Sequence, residues 1–408
     1  MLLARKGYKV LAVDRATFPS DTMSTHQVQI TGGVLLKRWG LLDKVLATGC
    51  PPARRVKMDM GPLAIRGTYP ALEGVDFVHS PRRTLLDKIL VDAAVEAGAE
   101  VREGFSVDEI LTEDGRVTGI RGRGRGGATV TEKARIVVGA DGRHSLVAGA
   151  VQPATYNERP PLTCAYYTYF ADLPLEGGEM YPRERRAIGA WPTNDGLTMI
   201  YTAWPIEEFH RYRADIEGNF LKTVGLVPSL AERVHAARRA ERFMGTADLP
   251  NFYRKPYGPG WALVGDAGYH KDPITGLGIS DAFRDADLLA EAIDAGFSGR
   301  KPLDGALAGY EQARNTASKP RYNITLQLAS FTPPVPEQVQ RALFAALTHN
   351  QAAADRFFGA LTGSVPMEEF FAPGNLFRIL GLAGFARVAL QRMGHRRQRE
   401  RPAEEVAS

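Results

Sequence analysis

"GWALVGDAGYHKDPITGLGISDAFRDADLLAEAI", residues 260–293, decides the fold. Residues 262–264 are a short apolar run that reads as a buried strand, and Gly265-Asp266 ends it. A loop carrying Pro273, Gly276 and Gly278 follows, and a long helix is predicted from about Ile279. Two glycines at a helix start bring bare backbone amides and the positive helix end against the electron-rich edge of a ligand. An acid directly after the strand suits sugar-like hydroxyls. A generic strand–loop–helix connection has no need of Gly-Asp, Pro, Gly and Gly in this order.

Two other segments point the same way. In "ARIVVGADGRHSLV", residues 134–147, a buried strand is followed at its carboxyl end by Asp141-Gly142, where open α/β sheets bind ligands, and Ser145 is placed to cap the next helix. "MLLARKGYKVLAVDRA", residues 1–16, reads as a helix end, a stop at Gly7 and a strand that ends in Asp14. That is the second half of a βαβ unit, whose acid accepts a ribose hydroxyl about 20 residues beyond a glycine-rich phosphate loop. Counting back from Asp14 passes Met1. The expectation is a sequence truncated at its start, by gene-model error or real loss, which binds a dinucleotide poorly until extended upstream by about 20 to 30 residues.

The bulk composition is globular, with 44% hydrophobic residues in a chain of 408, close to the ordinary share for a soluble domain. Two distant cysteines, Cys50 and Cys164, argue against a disulfide framework and a thiolate metal cluster, so a reducing cytoplasm is expected and no metal site. No uninterrupted apolar stretch reaches the length of a spanning helix. The net charge of +5 owes much to "RMGHRRQRER", residues 392–401, which reads as a solvated tail rather than a nucleic-acid contact. The apolar helix before it, "NLFRILGLAGFARVALQRMG", is read as packing on the protein body, with peripheral membrane contact less favoured. Short strands beside amphipathic helices occupy residues 1–50, 80–150 and 255–320. Aromatic and β-branched runs such as "LTCAYYTYFADLP" and "GLTMIYTAWP" mark antiparallel strands in 51–79 and 151–254. The expected fold class is therefore α/β: a discontinuous Rossmann-like domain interrupted by an antiparallel β-sheet substrate domain, with C-terminal helices and a basic tail over 321–408.

"VVGADGRHS" and "LVGDAGYHKDPITGLGISDAFRDADLLA" resemble the two internal fingerprints of FAD-dependent monooxygenases of the aromatic hydroxylase type, the p-hydroxybenzoate hydroxylase fold. "SPRRTLLDKILVDAAVEAGAEV", residues 80–101, resembles the helix between them, and the likeness runs from residue 1 to about 320. The family's N-terminal Gly-x-Gly-x-x-Gly is absent from this sequence. The resemblance implies FAD as cofactor. Asp14 would bind its adenosine ribose, and Arg83 would lie near the pyrophosphate or ribityl chain. Asp141 and Gly142 would flank the pyrophosphate. Asp266 would hydrogen-bond the ribityl hydroxyls and Gly276 to Gly278 would face the flavin pyrimidine edge, with Gly265 and Pro273 as further cofactor-binding residues.

The resemblance also implies a reaction with O2 in which NADPH or NADH acts as a transient co-substrate, or a separate reductase delivers electrons. The substrate would be a hydrophobic small molecule, aromatic or polyketide-like, that is hydroxylated or epoxidised. Tyr167, Tyr169, Trp191, Tyr201 and Trp204 are candidates to line its pocket, and His26, His270 and Lys271 are candidate acids or bases beside the isoalloxazine. The alternatives are an FAD-dependent reductase of the geranylgeranyl reductase type and a truncated non-catalytic flavoprotein. A halogenase is disfavoured because no Trp-x-Trp-x-Ile-Pro run is present.

Overall fold

The computed structural model describes residues 1–332 and 337–382. Its first elements are α1 (Leu2–Arg5), a left-handed Gly7 (φ 85°) that ends it, and β1 (Leu11–Asp14). β1 pairs in parallel with β4 (Glu100–Glu103), with Asp14 opposite Glu103. α2 (Ile30–Arg38), α3 (Leu42–Leu46) and α4 (Arg83–Glu96) lie between them in sequence. A second parallel pair joins β8 (Val137–Gly139) to β18 (Trp261–Leu263), and β17 (Tyr257–Gly258) runs antiparallel along the latter. Among the described residues no ladder bonds connect the two pairs. A meander of β5 (Ser106–Glu113), β6 (Arg116–Arg123) and β7 (Thr129–Lys133) carries the exposed glycine-rich turn at 124–128.

The large sheet follows the order β14 (Arg238–Arg239), β10 (Thr163–Ala171), β13 (Thr198–Pro205), β12 (Arg186–Pro192), β11 (Gly177–Arg183), β2 (Arg55–Asp59) and β3 (Ala64–Thr68), with β15 (Met244–Thr246) also on β10. Its pairings are antiparallel apart from the parallel junction of β11 with β2. A ladder of β9 (Thr155–Arg159), β16 (Asn251–Arg254) and β19 (Tyr269–His270) leads the chain from this sheet into the glycine loop.

β10 and β13 are rich in aromatic and β-branched residues, and all of β13 and nearly all of β10 are buried, so both faces of the sheet are covered. Side chains alternate between these faces. The even positions Cys164, Tyr166, Phe170, Ile200 and Trp204 pack with α6 (Phe209–Ala214), α7 (Ile216–Val224) and α8 (Pro228–Ala236). The odd positions Tyr167, Tyr169, Met199 and Tyr201 form the opposite face with Leu249, Trp191 and Met244. Trp204, expected in the substrate pocket, therefore belongs to the helix-covered face, stacked on Tyr212 with its indole N–H donating to Thr223. Burying each large apolar side chain contributes about 1.5–3 kcal/mol, so both faces stabilise the sheet.

α9 (Gly278–Phe297) places Leu289, Ala292 and Ile293 on one stripe, against Leu307 and Tyr310 of α10 (Leu303–Ala329). α11 (Glu337–Thr348), α12 (Gln351–Thr362) and α13 (Met367–Phe370) follow, residues 373–382 are helical up to the end of the described chain, and Phe357, Phe358 and Phe370 join the core built on α2 and β3. The architecture is the α/β one that the sequence predicts: parallel pairs with helices, an interposed antiparallel sheet, then C-terminal helices. The basic run 392–401 lies outside the described residues. No described helix is long and apolar enough to cross a membrane.

Candidate active site

Asp14, Asp141 and Asp266 all stand at or just past the carboxyl end of a parallel strand, the ligand-binding end of α/β sheets. Asp14 is exposed, and its Oδ1 accepts from the Ala16 amide at 2.8 Å. The Phe105 amide donates to the Asp14 carbonyl at 2.8 Å, and a groove of about 370 Å³ lined by Phe105, Gly124 and Gly126 opens there. Asp141 accepts through Oδ2 from the Leu146 amide at 2.6 Å, assisting Ser145 in capping α5 (Leu146–Val151). Gly142 follows at φ 78°. Arg83, in the first turn of α4, clamps Asp87 in a bidentate pair, at 2.7 Å through Nε and 2.8 Å through Nη2. Such a fork is the strong form of a guanidinium–carboxylate contact. Asp266 is exposed and has no hydrogen-bond partner among the described residues, and the left-handed Gly265 (φ 58°) turns the chain to present it.

The next residues divide between structure and site. The His270 ring donates from Nδ1 to the Pro250 carbonyl, and burial lowers its pKa. Lys271 is 7% exposed and ion-paired with Asp281 in the first turn of α9. Burial pushes the Asp281 carboxyl up, but Arg284 and Lys271 overcome this and hold it at about 2. The Lys271 ammonium thus serves the start of α9.

Asp272, which sequence reasoning missed, is 1% exposed. Its carboxyl accepts from Thr163 Oγ1 at 2.6 Å and from the Ile274 amide at 3.0 Å, and its own amide donates to Asn251 Oδ1 at 2.8 Å. Burial raises it to about 6 despite those donors. The signal was present in the Asp-Pro step, since Asp272 caps the short turn Pro273–Thr275. Gly276 follows in the left-handed region at φ 60°. A methyl there would overlap the Gln27 carboxamide, so the position needs a bare backbone. Gln29 donates from Nε2 to Gln27 Oε1 at 2.9 Å and to the carbonyls of Thr275 and Gly276 at 3.4 Å and 3.3 Å, stitching residues 27–29 onto the glycine loop. Gly278 faces open space.

His26 borders this seam. It is fully buried at φ 56°, shares a hydrogen bond between Nε2 and the Tyr169 hydroxyl, and stacks on that ring with centroids 5.8 Å apart. Burial, then the charges of Arg82 and Arg83, push its pKa down to about 3, so the ring is neutral. Arg82, also missed in the sequence, lies 4.2 Å over the Tyr169 ring and pairs with Glu241 at 2.6 Å. The ring face attracts the guanidinium while the carboxylate holds it in place.

Several buried atoms here have no partner among the described residues: His26 Nδ1, Gln29 Oε1, Arg82 Nε and the Tyr201 hydroxyl. Each unpaired buried group costs about 1–3 kcal/mol. A flavin, whose planar rim offers an imide N–H and two carbonyls, fits this chemistry. The bare backbone at Gly278 leaves room for its edge, and Asp266 is free for its ribityl hydroxyls.

Acids at parallel-strand ends and a glycine loop opening a long helix define a dinucleotide-binding protein of the flavin type. The chain belongs to the FAD binding domain family, which matches residues 1–321. It is 29% identical over 264 residues to the digeranylgeranylglycerophospholipid reductase of Methanocella arvoryzae, covering 59% of this chain and 62% of that one. It is 27% identical over 329 residues to the rifampicin monooxygenase of Rhodococcus hoagii, covering 76% of this chain and 64% of that one. The chain thus spans less than two thirds of the length of these relatives. In fold it is similar to the myxobacterial chondrochloren halogenase CndH, with TM-score 0.75 at 20% identity over 94% of this chain and 93% of that one.

Proposed function

We propose that the chain is the FAD-holding body of a monooxygenase that hydroxylates or epoxidises a hydrophobic, aromatic or polyketide-like small molecule, using O2 and NADPH or NADH. The observation that carries this reading is the aromatic sheet face of Tyr167, Tyr169 and Tyr201, which meets His26 beside the segment stitched to the glycine loop. The longer match to the monooxygenase relative supports it.

Bound FAD supplies the electron transfer and the oxygen activation. Asp14 takes the adenosine ribose. Gly142 and Arg83 attend the pyrophosphate, with Asp141 holding the turn that bears Gly142. Gly265 presents Asp266 to the ribityl hydroxyls, and Pro273, Gly276 and Gly278 set bare backbone against the pyrimidine edge. The buried tyrosine face excludes water and receives the substrate. Of the three candidate acid–base groups, His26 is the one suited to proton handling: neutral, bonded to the Tyr169 hydroxyl, and unpaired at Nδ1. His270 and Lys271 hold the loop that carries Pro273.

A reductase acting on a lipid alkene is the second reading, favoured by the match to the Methanocella protein. The test is to add FAD to the purified protein, record its visible spectrum, and follow NADPH oxidation with O2 uptake while aromatic compounds are supplied. O2 consumed in step with NADPH supports the monooxygenase, whereas anaerobic alkene reduction overturns it. The Asp266→Ala variant should bind FAD about 10- to 100-fold more weakly, because it loses a hydrogen bond worth about 1.5–3 kcal/mol. Unchanged affinity would refute the cofactor assignment.

A further inference from the structure

The ion cluster beneath the glycine loop is not balanced. Among the described residues, Lys271, Arg284, Arg314 and Arg321 share this region with three buried carboxylates, Asp272, Asp281 and Asp285, of which Asp272 is engaged by Thr163 and the Ile274 amide rather than by a cation. Lys271 and Arg284 pair with Asp281 and Asp285, and Arg314 is bound by the carbonyls of Gly268 and Arg254. Arg321 is different. Its guanidinium packs on the backbone of Gly363, which ends α12, and beside Thr31 in the first turn of α2, yet it has no hydrogen bond or ion pair among the described residues. Asp281 and the exposed Glu368 act on it only through space, and burial pushes its pKa below the ordinary value.

Three further observations describe this place. α2 and α9 both start here without a side-chain cap, and they are joined by the Gln29 amide donating to Ser280 Oγ at 2.9 Å. Thr325, one turn beyond Arg321 on α10 and so on the same helix face, meets Thr275 hydroxyl to hydroxyl at 2.9 Å. This face of α10 therefore backs directly onto the glycine loop. Gln29, 4% exposed, keeps an unpaired Oε1 at the same seam, an acceptor waiting for an N–H. Two positive helix ends and an unpaired guanidinium converge behind the backbone at 276–278.

We propose that Arg321 is a standing counter-charge for the negative charge that a flavin's pyrimidine edge acquires when its ring is reduced or adds a nucleophile, an assignment that rests on the FAD reading above. Arg321 acts through the field behind the loop and is a positioning charge rather than a catalytic residue.

Sulfite reports on that charge directly. Its sulfur lone pair forms a bond to flavin N5, the ring's N5–C4a π pair moves to the N1–C2=O edge, and the visible band bleaches without any turnover. The FAD-loaded wild type, Arg321→Met and Arg321→Lys are titrated with sodium sulfite, and with benzoate as a carboxylate probe. The dissociation constant for sulfite is expected to rise on the order of tenfold in Arg321→Met and to be largely restored in Arg321→Lys, since one charge in a partly buried site has that reach. Benzoate binding should stay unchanged. Unaltered sulfite affinity, or lost benzoate binding with sulfite unaltered, overturns the proposal and gives Arg321 to the substrate. Thermal unfolding without FAD adds an arm that does not depend on cofactor binding. Replacing an unpaired, half-buried charge by an apolar side chain should leave the melting temperature unchanged or raise it. A fall of several degrees would show that Arg321 has a structural partner, and the proposal would fail even if FAD binding were never observed.

Discussion

The neutral, buried His26 makes stability depend on pH in a way that one substitution isolates. In the unfolded chain its ring titrates near the ordinary 6.5, while in the native state it titrates at about 3. A base with a depressed native pKa contributes stability that is complete above 6.5 and is lost as pH falls toward 3, because the unfolded state takes up the proton first. At pH 7 the two states bind almost the same number of protons. At pH 5 the unfolded ring is nearly all charged and the native ring is not, which favours unfolding by about 2 kcal/mol. His26→Asn removes the titration, and asparagine tolerates the left-handed backbone that residue 26 adopts. Urea unfolding of both proteins at pH 7 and pH 5 should show the wild type losing about 2 kcal/mol more than the variant. His79, lowered by burial to about 4, and Asp272 titrate in both proteins and cancel. If the pH dependences agree within about 0.5 kcal/mol, the ring is not held neutral and the proposed proton-handling role loses its basis.

Asp272 has the opposite sign, since its native pKa of about 6 lies above the ordinary carboxyl value. Its contribution is present at low pH and fades as pH rises through that value, so Asp272→Asn should spare a loss of about 1 kcal/mol between pH 5 and pH 7, read in the same urea series. Lys271→Met leaves Asp281 with Arg284 alone. The change should cost about 3 kcal/mol of unfolding free energy, and unchanged stability would mean the ammonium is not paired. Gly276→Ala forces a methyl onto the Gln27 carboxamide at a left-handed position. FAD titration by fluorescence should show weakened binding that Gln27→Ser partly restores, and no recovery would assign the effect to backbone strain alone.

The strands and helices were legible wherever pattern and punctuation agreed. Gly265-Asp266 after an apolar triplet and the glycines before Ile279 announced the strand–loop–helix, and the aromatic runs announced β10 and β13, because these are local signals. What escaped depends on contacts made across the chain. The sequence offers Trp204 and Tyr201 as equals. Alternation along β13 puts them on different faces, but only the packing of α6, α7 and α8 decides which of the two faces the helices cover. Lys271 looked free because its partner Asp281 lies ten residues on, across a turn whose direction the pattern does not reveal. His26 was visible as a titratable residue, but its neutrality comes from burial and then from the charges of Arg82 and Arg83, which only the fold brings to it. Arg321 carried no signal at all, since an arginine on a helix is ordinary until every other charge around it has found a partner.

The parity of β10 and β13 has a consequence for how such a protein diversifies. One set of alternate residues anchors the sheet to α6, α7 and α8, and the other forms the wall opposite. Tyr167, Tyr169, Met199 and Tyr201 can therefore drift in size and polarity, reshaping what the wall accepts, while Cys164, Tyr166, Ile200 and Trp204 keep the scaffold standing. A library confined to the first set should return many folded proteins with altered ligand preferences, and the same library moved by one residue should return mostly unfolded ones.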